Sequence, residues 1–289
     1  MIRFGPSGNS NRFYDEGHTS SVDAPKWLAE QGLSAYEYSF GRGINISSEK
    51  ANAIGELGKA FDVAISVHAP YYINLANPSD EMAEKSYGYV LKSCQKVREF
   101  YGNRVVFHPS TVGKMTRKEA VELTQKRMEI LAKLIVDNKM DDCIFCPETM
   151  GKINQIGDVE EVTEFCKVAD FFIPTIDFGH INARTYGSLK TEEDYERIVL
   201  HLINNLGKER ASAMHIHFSK IEYSNGGEVK HLTFADTVFG PEFEPLAKVL
   251  KKYQLSPVVI CESDGTQADD ALYMKRVYDN MYHHAGTDF

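Results

Sequence analysis

Long apolar runs are absent. None approaches the roughly 18 residues that a membrane-spanning helix needs, and the strand-like stretch Asp170–Ile176 is short and interrupted by Pro174. The opening residues Met1-Ile2-Arg3-Phe4-Gly5 lack a basic patch, an apolar core and a cleavage pattern, so no signal peptide is expected. The chain is read as cytoplasmic. Basic charge is also scarce, with 32 Lys and Arg against 41 Asp and Glu, a formal net charge of −9. That balance excludes a protein that coats nucleic acid non-specifically. It leaves room for an enzyme that meets phosphate through bound cations, because the carboxylates that hold cations count as negative.

Cysteine is sparse and unpaired in number: Cys94, Cys143, Cys146, Cys166 and Cys261, without framework spacing. Cys143-Ile144-Phe145-Cys146 has the look of a redox or zinc pair. It lies in a strand-like run, however, where residues three apart face opposite sides, so buried thiols are expected. No Pro/Gly/Ser-rich linker, low-complexity tract or strong repeat divides the chain, and residues 1–289 are read as one domain.

What is present is regular alternation. Strands are predicted at Ile2–Gly5, Ala35–Ser39, Val63–His68, Arg104–His108, Cys143–Glu148, Phe171–Asp177, Ser212–His217 and Pro257–Glu262. Amphipathic helices are predicted between them, the clearest being Asp80–Tyr101, Thr116–Asn138, Glu192–Leu206, Pro241–Tyr253 and Thr266–His283. Eight such units at about 36 residues each match a (β/α)8 TIM barrel. A doubly wound open sheet is the competitor, but no Gly-x-Gly-x-x-Gly follows the first strand.

Histidine placement carries the functional signal. His68, His108, His180, His215, His217 and His231 fall at or just after predicted strand ends, as do Glu148, Asp177 and Glu262. In a barrel those ends share one rim. That many imidazoles and carboxylates in one pocket repel one another unless cations intervene. Mixed nitrogen and oxygen ligands suit Zn²⁺, with Mn²⁺ or Fe²⁺ as alternatives. Asp177-Phe178-Gly179-His180 offers two ligands around a tight turn. A metal role is expected for His68, His108, Glu148, Asp177, His180, His215 and Glu262. His217, two residues from His215 and so on the same strand face, is left open. His18, His201, His283 and His284 are read as ordinary surface residues.

Several segments together resemble the endonuclease IV family of apurinic/apyrimidinic endonucleases, within the xylose isomerase-like barrels. They are His68-Ala-Pro-Tyr-Tyr-Ile-Asn74, Phe107-His108-Pro109, Glu148-Thr-Met-Gly with Asn154-Gln-Ile-Gly157, Ile176-Asp-Phe-Gly-His180, His215 followed by Lys220, His231, and Cys261-Glu262. The resemblance implies two or three Zn²⁺ ions. His68, His108 and Glu148 would hold the first, and Glu148, as the catalytic bridge, would share a second with Asp177, His215 and Glu262. His180 and His231 would hold a third. The resemblance further implies hydrolysis of the phosphodiester 5′ to abasic sites in DNA, contacts to DNA from Arg42, Tyr71 and Tyr72, and a monomer with no membrane partner.

Three departures stand out. The family's His-x-Asn-Asp has become His215-Ile-His217-Phe218, and its Asp-Thr-Cys-His turn has become Asp177-Phe-Gly-His180. Its third-metal Asp is replaced by Val229, with Glu228 or His217 as the expected substitute once the Gly226-Gly227 turn re-aims the chain. The alternatives are a one-metal sugar isomerase or epimerase, which would use Glu148, Asp177, His215 and Glu262, and an abasic-DNA-binding protein without turnover.

Overall fold

The computed structural model describes residues 1–281. Eight short parallel strands form a closed ring: β1 (Arg3–Pro6), β2 (Ala35–Ser39), β3 (Ala64–His68), β4 (Arg104–Phe107), β5 (Ile144–Pro147), β6 (Thr175–Asp177), β7 (His215–Phe218) and β8 (Val258–Cys261). Ladders run continuously from β2 through β3 and β4 to β5, and from β6 through β7 and β8 to β1. The bridges Ser7↔Glu37 and Glu148↔Thr175 close the two seams. This is the TIM barrel, with every predicted strand present.

Helices wrap the outside. The longest are Asp80–Glu99, Arg117–Asp137 and Glu192–Leu206. Their starts follow from local chemistry. Ser79 accepts from the Met82 amide, and Thr116 and Glu119 cap each other's backbone amides, which satisfies donors that have no partner within the helix. The last helix spans Gln267–Asn280, between Thr266 and Met281; residues 282–289, which include the predicted helix end at His283 and also His284, lie outside the described residues. None of the described helices is long and apolar enough to cross a membrane.

Strand alternation sorts the side chains into two environments. Outward-facing Ile216, Phe218, Val259 and Cys261 join the main apolar core beneath the helices. Inward-facing Val106, Cys146 and Ile173 form a small separate plug within the ring. Above that plug the inward positions turn polar: Glu37, Ser66, His68, Glu148, Thr175, Asp177, His215 and His217 are all buried. All five cysteines are buried and free, as expected of Cys143 and Cys146.

Two small antiparallel pairs are not evident in the sequence, one of them Ser110–Thr111 with Gln155–Ile156. After β7 the chain forms an antiparallel hairpin, Lys220–Ser224 with Gly227–Leu232, so His231 comes from this hairpin and not from a barrel strand. Its tip docks on the loop after β5, through Glu228 N to Gly151 O and Ile153 N to Gly226 O. Gly227 sits at φ +86°, and a Cβ there would lie 2.2 Å from the Gly151 carbonyl oxygen.

Seam closure beside β1 is equally tight. A Cβ at Gly5 would fall 1.7 Å from the Ala35 carbonyl oxygen. Gly5→Ala is expected to cost about 1–3 kcal/mol by overpacking, seen as a Tm loss of several degrees in thermal unfolding. An unchanged Tm would show that the seam yields freely.

Candidate metal centre

The barrel mouth opens on a cavity of about 370 Å³ lined by His68, Tyr71, His108, His180, His231 and Glu262, among others. Three donor sets meet there, each with one ligand atom per residue within 4.8 Å of the rest: His68, His108 and Glu148; Glu148, Asp177, His217 and Glu262; His180, Glu228 and His231; a fourth, Glu37, His215 and His217, is buried beneath them. A larger hollow of about 500 Å³ on the flank, lined by Arg184, Leu189 and His201 among others, holds none of them.

Glu148 stands at the junction. Its Oε2 lies 3.1 Å from His68 Nε2 and 3.2 Å from His108 Nε2, while Oε1 lies 2.9 Å from His217 Nδ1 and 3.4 Å from His180 Nδ1. It is the residue after β5, fully buried, and its backbone amide is held by the Phe107 carbonyl on the next strand. Asp177 ends β6 and caps the helix Phe178–Arg184, with Oδ1 accepting from the His180 amide at 2.7 Å. The turn expected between Asp177 and His180 is therefore the first turn of a helix. It brings the two side chains to 3.2 Å.

Several histidines are pre-oriented. His68 Nδ1 donates to the Ala69 carbonyl at 2.9 Å and His180 Nδ1 to the Thr149 carbonyl at 2.9 Å, while His231 Nδ1 meets Ser219 Oγ at 2.8 Å. With Nδ1 so engaged, each ring turns Nε2 toward the site, the arrangement by which metal-ligating histidines are fixed. His180 Nε2 lies 3.4 Å from Glu228 Oε2, and His231 Nε2 lies 3.9 Å from Glu228 Oε1. Glu228 thus completes the third set, with Val229 half-exposed beside it. His217 takes no part in that set.

His215 is where the structure departs most from expectation. The resemblance implies a place for it beside Asp177 and Glu262, but His217 occupies that position, its Nδ1 3.4 Å from Glu262 Oε2. Both rings face inward, as strand alternation requires. β7, however, starts three residues later than predicted and ends at Phe218, so His217 reaches the rim and His215 lies one residue pair deeper, ~6–7 Å down the strand. There its Nε2 lies 2.9 Å from Glu37 Oε2. Glu37 is a buried carboxylate in the middle of β2 that the sequence reading passed over, although a charge inside Ala35-Tyr-Glu-Tyr-Ser39 was a signal. His18 stacks on Phe13 and His201 is half-buried, so neither is simply a surface residue. His201 is absent from the cavity lining and both are absent from the donor sets.

Electrostatics agree with the donor chemistry. Burial pushes the Glu148 carboxyl up, but His217, His108 and His180 together hold it well below the usual carboxylate range. Asp177 is raised to about 6 by burial, with Glu262 and Glu148 adding to the rise against the pull of His180. Its Oδ2 is buried and has no hydrogen-bond donor, a cost that a cation would remove. Burial lowers His215 to about 4, leaving it neutral. These residues fit zinc or a similar transition metal.

Around the mouth, Tyr71 stacks on His108 with ring centroids 5.5 Å apart, yet remains 55% exposed; Tyr72 is 54% exposed and leans on Tyr89. Arg42 is exposed on the adjacent loop, which the Tyr71 amide joins through the Gly41 carbonyl.

Residues 25–277 match the xylose isomerase-like TIM barrel family model, and the chain belongs to that family. An uncharacterised protein of Methanocaldococcus jannaschii is 34% identical over 95% of this chain and 96% of its own. An apurinic-apyrimidinic endonuclease of Caenorhabditis elegans is 30% identical over 53% of this chain and 39% of its own. The chain thus spans less than two thirds of that relative. Among solved structures, a D-tagatose 3-epimerase-like protein superposes with a TM-score of 0.72 at 19% identity, over 98% of this chain and 97% of that one. Endonuclease IV from Thermus thermophilus gives 0.65 at 16%, over 97% and 99%. At these identities the two structures speak for the fold. A probable endonuclease 4 of Aquifex aeolicus is 26% identical over 61% of this chain and 62% of its own, so the similarity seen in the motifs is present in the sequence comparison, in a divergent chain.

Zinc added to chelator-stripped protein is expected to raise Tm by several degrees, since an ion at 100 times its Kd adds about 2.7 kcal/mol per site. Asp177→Asn should shrink that rise. If zinc leaves Tm unmoved, the three sets are hydrogen-bonded networks only.

Proposed function

We propose that this protein is a metal-dependent phosphodiester hydrolase that cuts DNA on the 5′ side of abasic sites. One observation carries the reading: Glu148 belongs to two donor sets, and the third set lies against it through His180. Single-metal chemistry on a sugar needs only Glu148, Asp177, His217 and Glu262. It leaves His68, His108, His180, Glu228 and His231 without a role.

Zinc ions held in such sets lower the pKa of water and offset charge on phosphate oxygens. The chain's own residues supply the rest. Glu148 keeps the first two sets in register through its two oxygens. His180, Glu228 and His231 sit where the scissile phosphate would be gripped from the hairpin side. Tyr71 and Tyr72 present exposed ring surface beside the mouth, suited to filling the gap at a missing base, and Arg42 offers a cation to the backbone. A protein of net charge −9 would then meet a polyanion mainly through its metal rim, with few salt-dependent contacts elsewhere.

The second reading is a ketose epimerase. The set Glu148, Asp177, His217 and Glu262 is complete for one metal, and the D-tagatose 3-epimerase-like protein shares the fold.

The test is incubation of metal-loaded protein with a duplex carrying one abasic site, scored for a 3′-hydroxyl product, beside a ketose epimerisation assay. Glu148→Gln is expected to reduce cleavage by at least ~10³-fold while leaving duplex binding largely intact. Epimerisation without cleavage would overturn the proposal. Tyr72→Ala is expected to weaken binding to the abasic duplex by about 1–3 kcal/mol at unchanged metal content, measured by fluorescence anisotropy. Equal affinity would remove that tyrosine from the DNA surface.

A further inference from the structure

Beneath the rim, on the side of the second donor set, lies a carboxylate with no part in the chemistry so far described. Glu37 has no exposed surface and sits on β2 one residue pair below the mouth, out of reach of any substrate. Its Oε2 accepts from Ser66 Oγ at 2.8 Å and from His215 Nε2 at 2.9 Å. Its Oε1 lies 2.9 Å from His217 Nε2 as an ion-pair contact outside hydrogen-bond geometry, and neither of those two buried atoms has a hydrogen-bond partner.

We propose that Glu37 is a positioning residue that acts through His217, holding its Nε2–H so that the Nδ1 lone pair faces the space shared with Glu148, Asp177 and Glu262. The assignment rests on reading the rim as a metal centre, and not on which reaction the metals serve.

A carboxylate only accepts hydrogen bonds, and both His217 nitrogens face one: Nδ1 donates to Glu148 Oε1 at 2.9 Å, and Nε2 lies 2.9 Å from Glu37 Oε1. A cation among Glu148, Asp177 and Glu262 would take the place of the hydrogen at Nδ1, which lies 3.4 Å from Glu262 Oε2. The ring would then keep its one remaining hydrogen on Nε2, facing Glu37. An amide at position 37 would offer one acceptor oxygen where Ser66, His215 and His217 need two. This explains a charge that otherwise costs several kcal/mol to bury. It also gives His215 a purpose: it steadies the carboxylate that steadies the ligand. Carboxylate–histidine–metal arrays of this kind typically lose 10–100-fold in metal affinity when the outer carboxylate is changed.

The experiment is competition of the full-length protein with a chromophoric chelator for Zn²⁺, together with the visible spectrum of the Co²⁺ form. Glu37→Gln is expected to weaken one ion by roughly 10–100-fold and to shift the Co²⁺ bands. In a His217→Ala background the same change is expected to cost nothing further. Unchanged affinity, or an equal loss in both backgrounds, would overturn the proposal and make Glu37 a support of the fold alone. Should Glu37→Gln fail to fold, Ser66→Ala decides: weaker binding of the same ion supports the assignment, and unaltered binding refutes it. Because metal affinity is read and not turnover, the result stands apart from whether abasic DNA or a ketose is the substrate.

Discussion

Concentrated buried charge is the constraint on which this molecule turns. Glu37, Glu148 and Asp177 are fully buried at or just below the barrel mouth, with Glu262 only slightly less so. Each unmatched ion in such a place costs several kcal/mol. The surrounding structure answers that cost at every point. His68, His180 and His231 have Nδ1 engaged by a carbonyl or hydroxyl, the Asp177 carboxylate caps a helix with one oxygen, and Ser66 and His215 brace Glu37. Among the atoms left without a hydrogen-bond partner is Asp177 Oδ2, in the set with Glu148, His217 and Glu262 where a cation would sit.

The barrel supplies this economy through its geometry. Parallel strands carry inward-facing residues in layers. An apolar plug of Val106, Cys146 and Ile173 closes the interior below. Glu37, Ser66 and His215 form a polar layer above it, and His68, Glu148, Asp177 and His217 form the rim. The hairpin after β7 adds Glu228 and His231 from outside the ring, and docking of its glycine tip on Gly151 sets their height.

Much of this was legible in the sequence, and the failures have physical causes. The eight strands could be read because apolar β-branched runs alternated with capped amphipathic helices. Nine candidate ligands could be read because their residue types recur at strand ends. Strand alternation tells which face a residue occupies but not its depth, and so His215 and His217 exchanged places when β7 proved to begin at His215. Glu37 was missed because a single acidic residue in a strand gives no spacing signal; its partners come from β3 and β7, remote in sequence. Glu228 was anticipated as a substitute ligand because two glycines precede it, and positive φ at Gly227 is what that pair permits.

The central claim is that the rim is a multi-metal centre and not a single-metal sugar site. Counting transition-metal ions per chain in purified, active protein by elemental analysis tests it most directly. Two or three ions are predicted, with the His180, Glu228 and His231 set the first to empty as a chelator is added. A constant single ion, accompanied by full activity on a ketose, would contradict the account.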